Sequence, residues 1–214
     1  MSERPLDRGL SKITKIVSDM ADLALSTVKA SINAYLEGGD VQVQVRAWSD
    51  ALRSMENDVE DLSVELIARH QPVAVDLRSI KSNMKIAYDL SRFGRYAYDI
   101  SSQLRLFNEN KRVLPEDGFL KEMGDRVMAM LFLAVEVYRT RSFNEVKQLE
   151  KMENEVDEMY RSHIREMAKN PPTDIALLIS GVLLTRHLER IADHACYIVE
   201  EVYYMVHGGT MYVR

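Results

Sequence analysis

The sequence predicts an all-α fold of two tandem three-helix bundles, and three observations carry that prediction. Gly and Pro are scarce, nine and five in 214 residues, and they cluster. Between the clusters, apolar residues recur at spacings of three and four, the period of an amphipathic helix. The chain also repeats itself: "MENDVED" (55–61) returns as "MENEVDE" (152–158), an offset of 97, and "DLSRFGRYAYDI" (89–100) returns as "HLERIADHACYI" (187–198), an offset of 98. So long a period indicates one duplicated unit of three helices and not a solenoid, which needs more and shorter copies. The halves are assigned as 1–112 and 113–214, each able to enclose a core.

Six helices follow in order. The first spans about residues 10–37 and stops at Gly38-Gly39. The second takes Asp40 as N-cap and continues to about residue 69. "VQVQV" (41–45) alternates at period two, but a helical pattern follows at once, so it is not assigned as a strand. A third helix, capped by Asp76, runs to about Lys111. After Pro115-Glu116-Asp117-Gly118 a fourth extends to about Thr140, and a fifth occupies about 142–169. The sixth starts at Asp174, after Pro171-Pro172, and ends at His207, where Gly208 supplies a left-handed stop.

Apolar residues make up 46% and charged residues 29%, which suits a solvated globular protein with a substantial core. A net charge of −5 and a pI near 5.6 give no electrostatic reason to bind nucleic acid, whose sequence-independent affinity comes from Lys and Arg. The single cysteine, Cys196, excludes an internal disulfide and suits a reducing compartment. The most apolar run, "VMAMLFLAV" (127–135), is too short to span a bilayer, and the N-terminus lacks the apolar stretch of a signal peptide. A cytoplasmic location is expected.

Carboxylates are the unusual feature of the last helix. At about 100° per residue, Glu189, Asp193 and Glu200 fall within about 40° of one another, away from the apolar side of Leu184, Leu188, Ile191, Ala195, Ile198 and Val202. They are expected to form an exposed acidic ridge. Like charges four apart repel, so helix formation gives no reason for the arrangement. A hard cation would reverse that cost by drawing oxygen ligands together. Glu153 and Asp157 on the fifth helix share the spacing, with Glu150 one turn earlier. The short Asn-Pro-Pro-Thr link makes the fifth and sixth helices antiparallel neighbours, so four carboxylates can line one seam. The plainer alternative is ordinary surface acids paired with Arg161, Arg186 and Arg190.

On these residues the chain resembles the PhoU family, whose signature L-E-R-I-[GA]-D-H-A matches "LERIADHA" (188–195), with "DLR" (76–78) opening the corresponding helix of the first copy. The resemblance covers essentially the whole chain. It implies a pair of three-helix bundles, a regulator of phosphate uptake, and surface clusters of iron or zinc bound through E/D-xxx-D motifs. It further implies a phosphate ABC transporter ATPase, a phosphate-responsive sensor kinase, or both, as partners. Carried over, the metal ligands fall on Glu153, Asp157, Glu189 and Asp193, while Glu200 is added from its place on the stripe. A homodimer is compatible with this reading; membrane insertion and nucleic-acid binding are not expected.

The first copy departs from the pattern. Glu189, Asp193 and Glu200 are replaced by Ser91, Arg95 and Ser102, whereas Glu56 and Glu60 occupy the places of Glu153 and Asp157. Arg95 is expected to pair with Glu56 or Glu60 as a salt bridge in place of a metal, or else to extend into solvent. Tyr88, Tyr96 and Tyr98 crowd the same helix, as a partner-binding face or as aromatic packing. His194 is expected to be a satisfied structural histidine and Cys196 a packing residue; His163 and His187 flank the core without an assigned role.

No nucleophile with a neighbouring base and no Gly-rich phosphate loop is present, so an enzyme is not expected. A ferritin-like di-metal oxidase also draws carboxylates from helical bundles, but it needs Glu-x-x-His on two helices and no Glu here has His three residues later. A metal-free helical adaptor is the remaining alternative.

Overall fold

The computed structural model describes residues 4–109 and 118–213. These form six helices: α1 (Pro5–Glu37), α2 (Gln42–His70), α3 (Ala74–Glu109), α4 (Gly118–Thr140), α5 (Val146–Lys169) and α6 (Ile175–His207). Among the described residues no strand occurs, and "VQVQV" is absorbed into the start of α2. Lys111, the Pro115 turn and the boundary between 112 and 113 lie outside the described residues.

Several ends differ from expectation for local reasons. α1 begins five residues early because Pro5 occupies its first turn, where a missing N–H costs nothing, and Asp7 there accepts from Arg4 at 2.6 and 2.9 Å. Val41, not Asp40, stands at the α2 cap position, although Asp40 Oδ1 still accepts from the Gln42 N–H at 3.4 Å. Asp76 lies inside the first turn of α3, where its charge favours the helix dipole, and is not the cap. α5 starts at Val146, four residues late, after Arg141 turns left-handed at φ 58°.

Both ends of α6 are as expected. Asp174 accepts from the Ala176 N–H at 2.9 Å, and Gly208 takes φ 75° while its N–H donates to the Tyr204 carbonyl at 2.9 Å. Asp174→Ala is expected to cost about 1 kcal/mol in urea denaturation, since it leaves that first-turn donor to water.

α1, α2 and α3 pack together, as do α4, α5 and α6, and the two groups join through α3 on α6 and α1 on α4. The α3/α6 joint is antiparallel: Ser82 meets Glu201, Asp89 meets His194, and Tyr96 meets His187. By the offset of 98, Tyr96 is the counterpart of His194 and Asp89 that of His187, so the joint is a pseudo-twofold one. Buried polar ties reinforce it. The Tyr138 hydroxyl donates to Asn83 Oδ1 at 2.7 Å, and Tyr35 bonds Ser180 at 3.0 Å. Because α6 touches α3, α4 and α5, few of its sides are left to solvent. Among the described residues, no helix is long and apolar enough to cross a membrane.

Candidate functional site

The α5/α6 seam is the place to which repeat and spacing point. Leu149 and Val156 turn one side of α5 into the core, which sets Glu153 and Asp157 along the edge facing α6. Leu188 and Ile191 do the same for α6 and leave Glu189 and Asp193 beside α5.

The acids do not form the exposed ridge expected. Glu153 is 6% exposed and Asp193 5%, and the Glu189 side chain is largely covered. The wheel identified one apolar face correctly, but a helix with three neighbours buries more than one face. Burying charge is costly unless it is paired, and arginines supply the pairing. Arg186 Nη1 donates to both Glu189 oxygens at 2.7 and 2.8 Å, and Arg190 Nη1 to Asp193 at 3.0 Å. Arg161 Nη2 donates to Asp157 at 2.6 Å.

Burial is the main cause that raises the Glu189 carboxyl above its usual range; Asp193 and, from α5, Asp157 push the same way, against Arg186 and Arg190. The influence of Asp157 across the seam places acids of two helices in one field. Among the described residues, though, no three His, Cys, Asp or Glu side chains converge as a ligand set. Carboxylates of two antiparallel helices are neighbours here, but as they stand they turn towards arginines and not towards a common centre.

Glu200 belongs elsewhere. Its Oε1 accepts from the Val213 N–H at 3.0 Å, tying down the segment after α6, and it lines a groove of about 450 Å³ with Glu60, Asp89 and Glu201. Burial raises its pKa, opposed by the Val213 bond. The structure thus brings Glu60 of the first copy to Glu200 of the second, and separates each from its expected set.

In the first copy, Arg95 pairs with neither Glu56 nor Glu60. It donates to Asp99 at 3.3 Å, one turn away on its own helix, and lies over the Tyr98 ring at 5.8 Å. Glu56, Ser91 and Arg95 share a second groove, of about 600 Å³, from which Glu60 is absent.

The feature the sequence did not expose is the Asp89–His194 pair inside the α3/α6 joint, with Nδ1 to Oδ1 at 2.7 Å. His194 is the satisfied structural histidine expected of it, ringed by Tyr88, Phe93, Tyr96 and Tyr197. Burial raises the Asp89 pKa and the His194 bond opposes that rise. A signal was available: the repeat equates Asp89 with His187 and Tyr96 with His194, which is what a twofold joint brings face to face. Cys196 is fully buried, and His163 stacks on Phe119 at 5.2 Å.

A family model described as the PhoU domain matches residues 17–104 and again 120–202. A Rhizobium meliloti relative named phosphate-specific transport system accessory protein PhoU homolog is 29% identical, over 95% of this chain and 87% of its own. The crystal structure of PhoU from Pseudomonas aeruginosa superposes with a TM-score of 0.86 at 26% identity, over 95% of this chain and 99% of that one. The phosphate transport system regulatory protein PhoU from Streptococcus pneumoniae has the same fold, with a TM-score of 0.83 at 20% identity, over 96% and 99% of the two chains.

Proposed function

The chain belongs to the PhoU family, and from that premise we propose that it is an accessory protein of a phosphate transport system that regulates uptake by binding, without catalysis. The observation carrying this reading is the double family match, one copy in each three-helix group, joined by the buried α3/α6 contact. On this reading its partners are the ATPase of a phosphate ABC transporter, a phosphate sensor kinase, or both, on the cytoplasmic side of the membrane. Deleting the gene and following phosphate uptake in phosphate-replete cells tests it. Uptake should stay high and fall again when the intact chain is restored; uptake that is restrained equally with and without the gene overturns the proposal.

The finer part of the proposal is that Glu153, Asp157, Glu189 and Asp193 hold iron or zinc once Arg161, Arg186 and Arg190 swing aside. Bound there, the ion would supply the positive charge that the arginines now provide and fix α5 against α6. The raised Glu189 pKa, caused first by burial and then by the neighbouring Asp193 and Asp157, is compatible with this, because a buried carboxylate beside other acids is stabilised by a cation. Glu189→Ala/Asp193→Ala is expected to lose the metal found by elemental analysis of wild type purified without chelator. Equal metal content in the two proteins would refute the assignment.

A further inference from the structure

The groove of about 450 Å³ that holds Glu60 and Glu200 lies where α2, α3 and α6 meet, so both copies build it. Part of its lining is apolar: Met84 and Tyr88 come from α3 and Tyr197 from α6. Tyr88 is half exposed, and the Tyr88 and Tyr197 rings rest against His194, with centroids at 6.3 and 5.4 Å. Asp89 holds that imidazole in place, so the α3/α6 joint fixes these walls before anything enters.

Charge within the groove does not balance. Four carboxylates line it, Glu60, Asp89, Glu200 and Glu201, against one cation, Lys85, which is bound to Glu201. Asp89 is 6% exposed and gives Oδ1 to His194, while among the described residues its Oδ2 has no donor. Neither Glu60 nor Glu200 has an ion-pair partner among the described residues; Glu200 accepts from the Val213 N–H alone. The fold does not demand these acids. At the twofold-related place the repeat puts Ser102 for Glu200, Gln103 for Glu201 and Arg186 for Tyr88, so the twin position lacks both glutamates and carries an arginine of its own.

We propose that this groove docks a basic segment of a partner protein, receiving an arginine or lysine side chain against Tyr88 and Tyr197 with its head group among Glu60, Asp89 and Glu200. A long cationic side chain matches both parts of the lining: its methylenes cover Met84 and the rings, and its charge meets carboxylates that have no cation. A bare divalent ion would use the acids alone, and among the described residues no three of them converge as a ligand set. Burial holds the Asp89 and Glu200 carboxyls above their usual range, so each is stabilised in its charged form by a cation brought beside it. Because the groove spans α2, α3 and α6, a seated partner bridges the two copies. No acid of the α5/α6 seam takes part, and the chemistry of the segment does not depend on phosphate regulation, so failure here would leave the proposed function intact.

Fluorescence anisotropy of dye-labelled tetra-arginine, titrated with the full chain in chelator-containing buffer, tests it, with tetra-citrulline as the neutral isostere. Tetra-arginine should bind and tetra-citrulline should not. Glu60→Gln/Glu200→Gln should weaken binding by about tenfold or more, and the new amide oxygen can still accept from the Val213 N–H, so the fold should hold. Tyr88→Ala, at an exposed position, should weaken it by about threefold, which attraction by net charge alone does not predict. Asp125→Asn/Glu145→Gln, which removes equal charge from exposed positions of the second copy, should bind as wild type. No binding of tetra-arginine, undiminished binding in Glu60→Gln/Glu200→Gln, or an equal loss in the second-copy control overturns the proposal. So does calcium binding in chelator-free buffer that Glu60→Gln/Glu200→Gln abolishes, which assigns the groove to a metal, or a wild-type dimer that the same variant dissociates in sedimentation, which assigns it to a second copy of the chain.

Discussion

His194→Leu is expected to destabilise the fold by about 3 kcal/mol, because it strands the Asp89 carboxylate inside the α3/α6 joint. Asp89 is 6% exposed, and its hydrogen bond to His194 is what opposes the effect of burial on its charge. Lys85 helps little, since it is exposed and already bound to Glu201. Replacing both members by apolar side chains should cost much less than the single change, so Asp89→Leu/His194→Leu should unfold at higher urea than His194→Leu alone.

Both variants lack His194, so their difference isolates Asp89. Its folded pKa lies above the unfolded one, so the ionised group opposes folding above that range and the penalty fades as pH falls through the folded pKa. The gap between the two variants should accordingly be widest at neutral pH and close on acidification. Equal stability of the two at pH 7 would show that Asp89 carries no stranded charge.

How much of this was legible in the chain follows from the range of each signal. Helix spacing is local, so all six helices could be placed from apolar recurrence, and the Asp174 and Gly208 signals marked ends that the structure reproduces. The starts of α1 and α5 were missed where Pro5 extends a helix and Arg141 turns without glycine. Asp40 and Asp76 show that a capping residue type near an end does not establish the cap itself.

Pairs four apart on a helix are equally local, and Glu189 lies in the field of both Asp193 and, from α5, Asp157. Their burial was not legible, because a wheel describes one helix and says nothing of how many neighbours it acquires. Glu200 shares their angle but lies seven residues beyond Asp193, about 10 Å along the axis at 1.5 Å per residue, which is enough to give it a different environment. Arg95 meets neither Glu56 nor Glu60: it extends along the exposed face of its own helix to Asp99, one turn away and the shorter reach. The Asp89–His194 pair spans 105 positions in sequence, and only the symmetry of the repeat hinted at it.

That symmetry also locates the position where a cavity should cost most. Antiparallel pairs 82·201, 89·194 and 96·187 place the centre of the joint near Phe93 and its counterpart Ile191, which are 1% and 0% exposed. Phe93 fills this crossing with the largest apolar side chain available there, its ring edge-on to His194 at 6.4 Å and 86°. Phe93→Ala removes the ring where backbones of two bundles are already held by their other contacts, so the space cannot close fully. A loss of about 3–5 kcal/mol is expected, a large share of the roughly 5–15 kcal/mol that holds a typical domain. Phe93→Leu, which refills most of the volume, should cost less than half as much. Since Phe93 and His194 touch, the effects of Phe93→Ala and His194→Leu should not add, with a coupling of at least about 0.5 kcal/mol in a double-mutant cycle. Strict additivity in urea denaturation would mean that the two side chains do not share one packed joint.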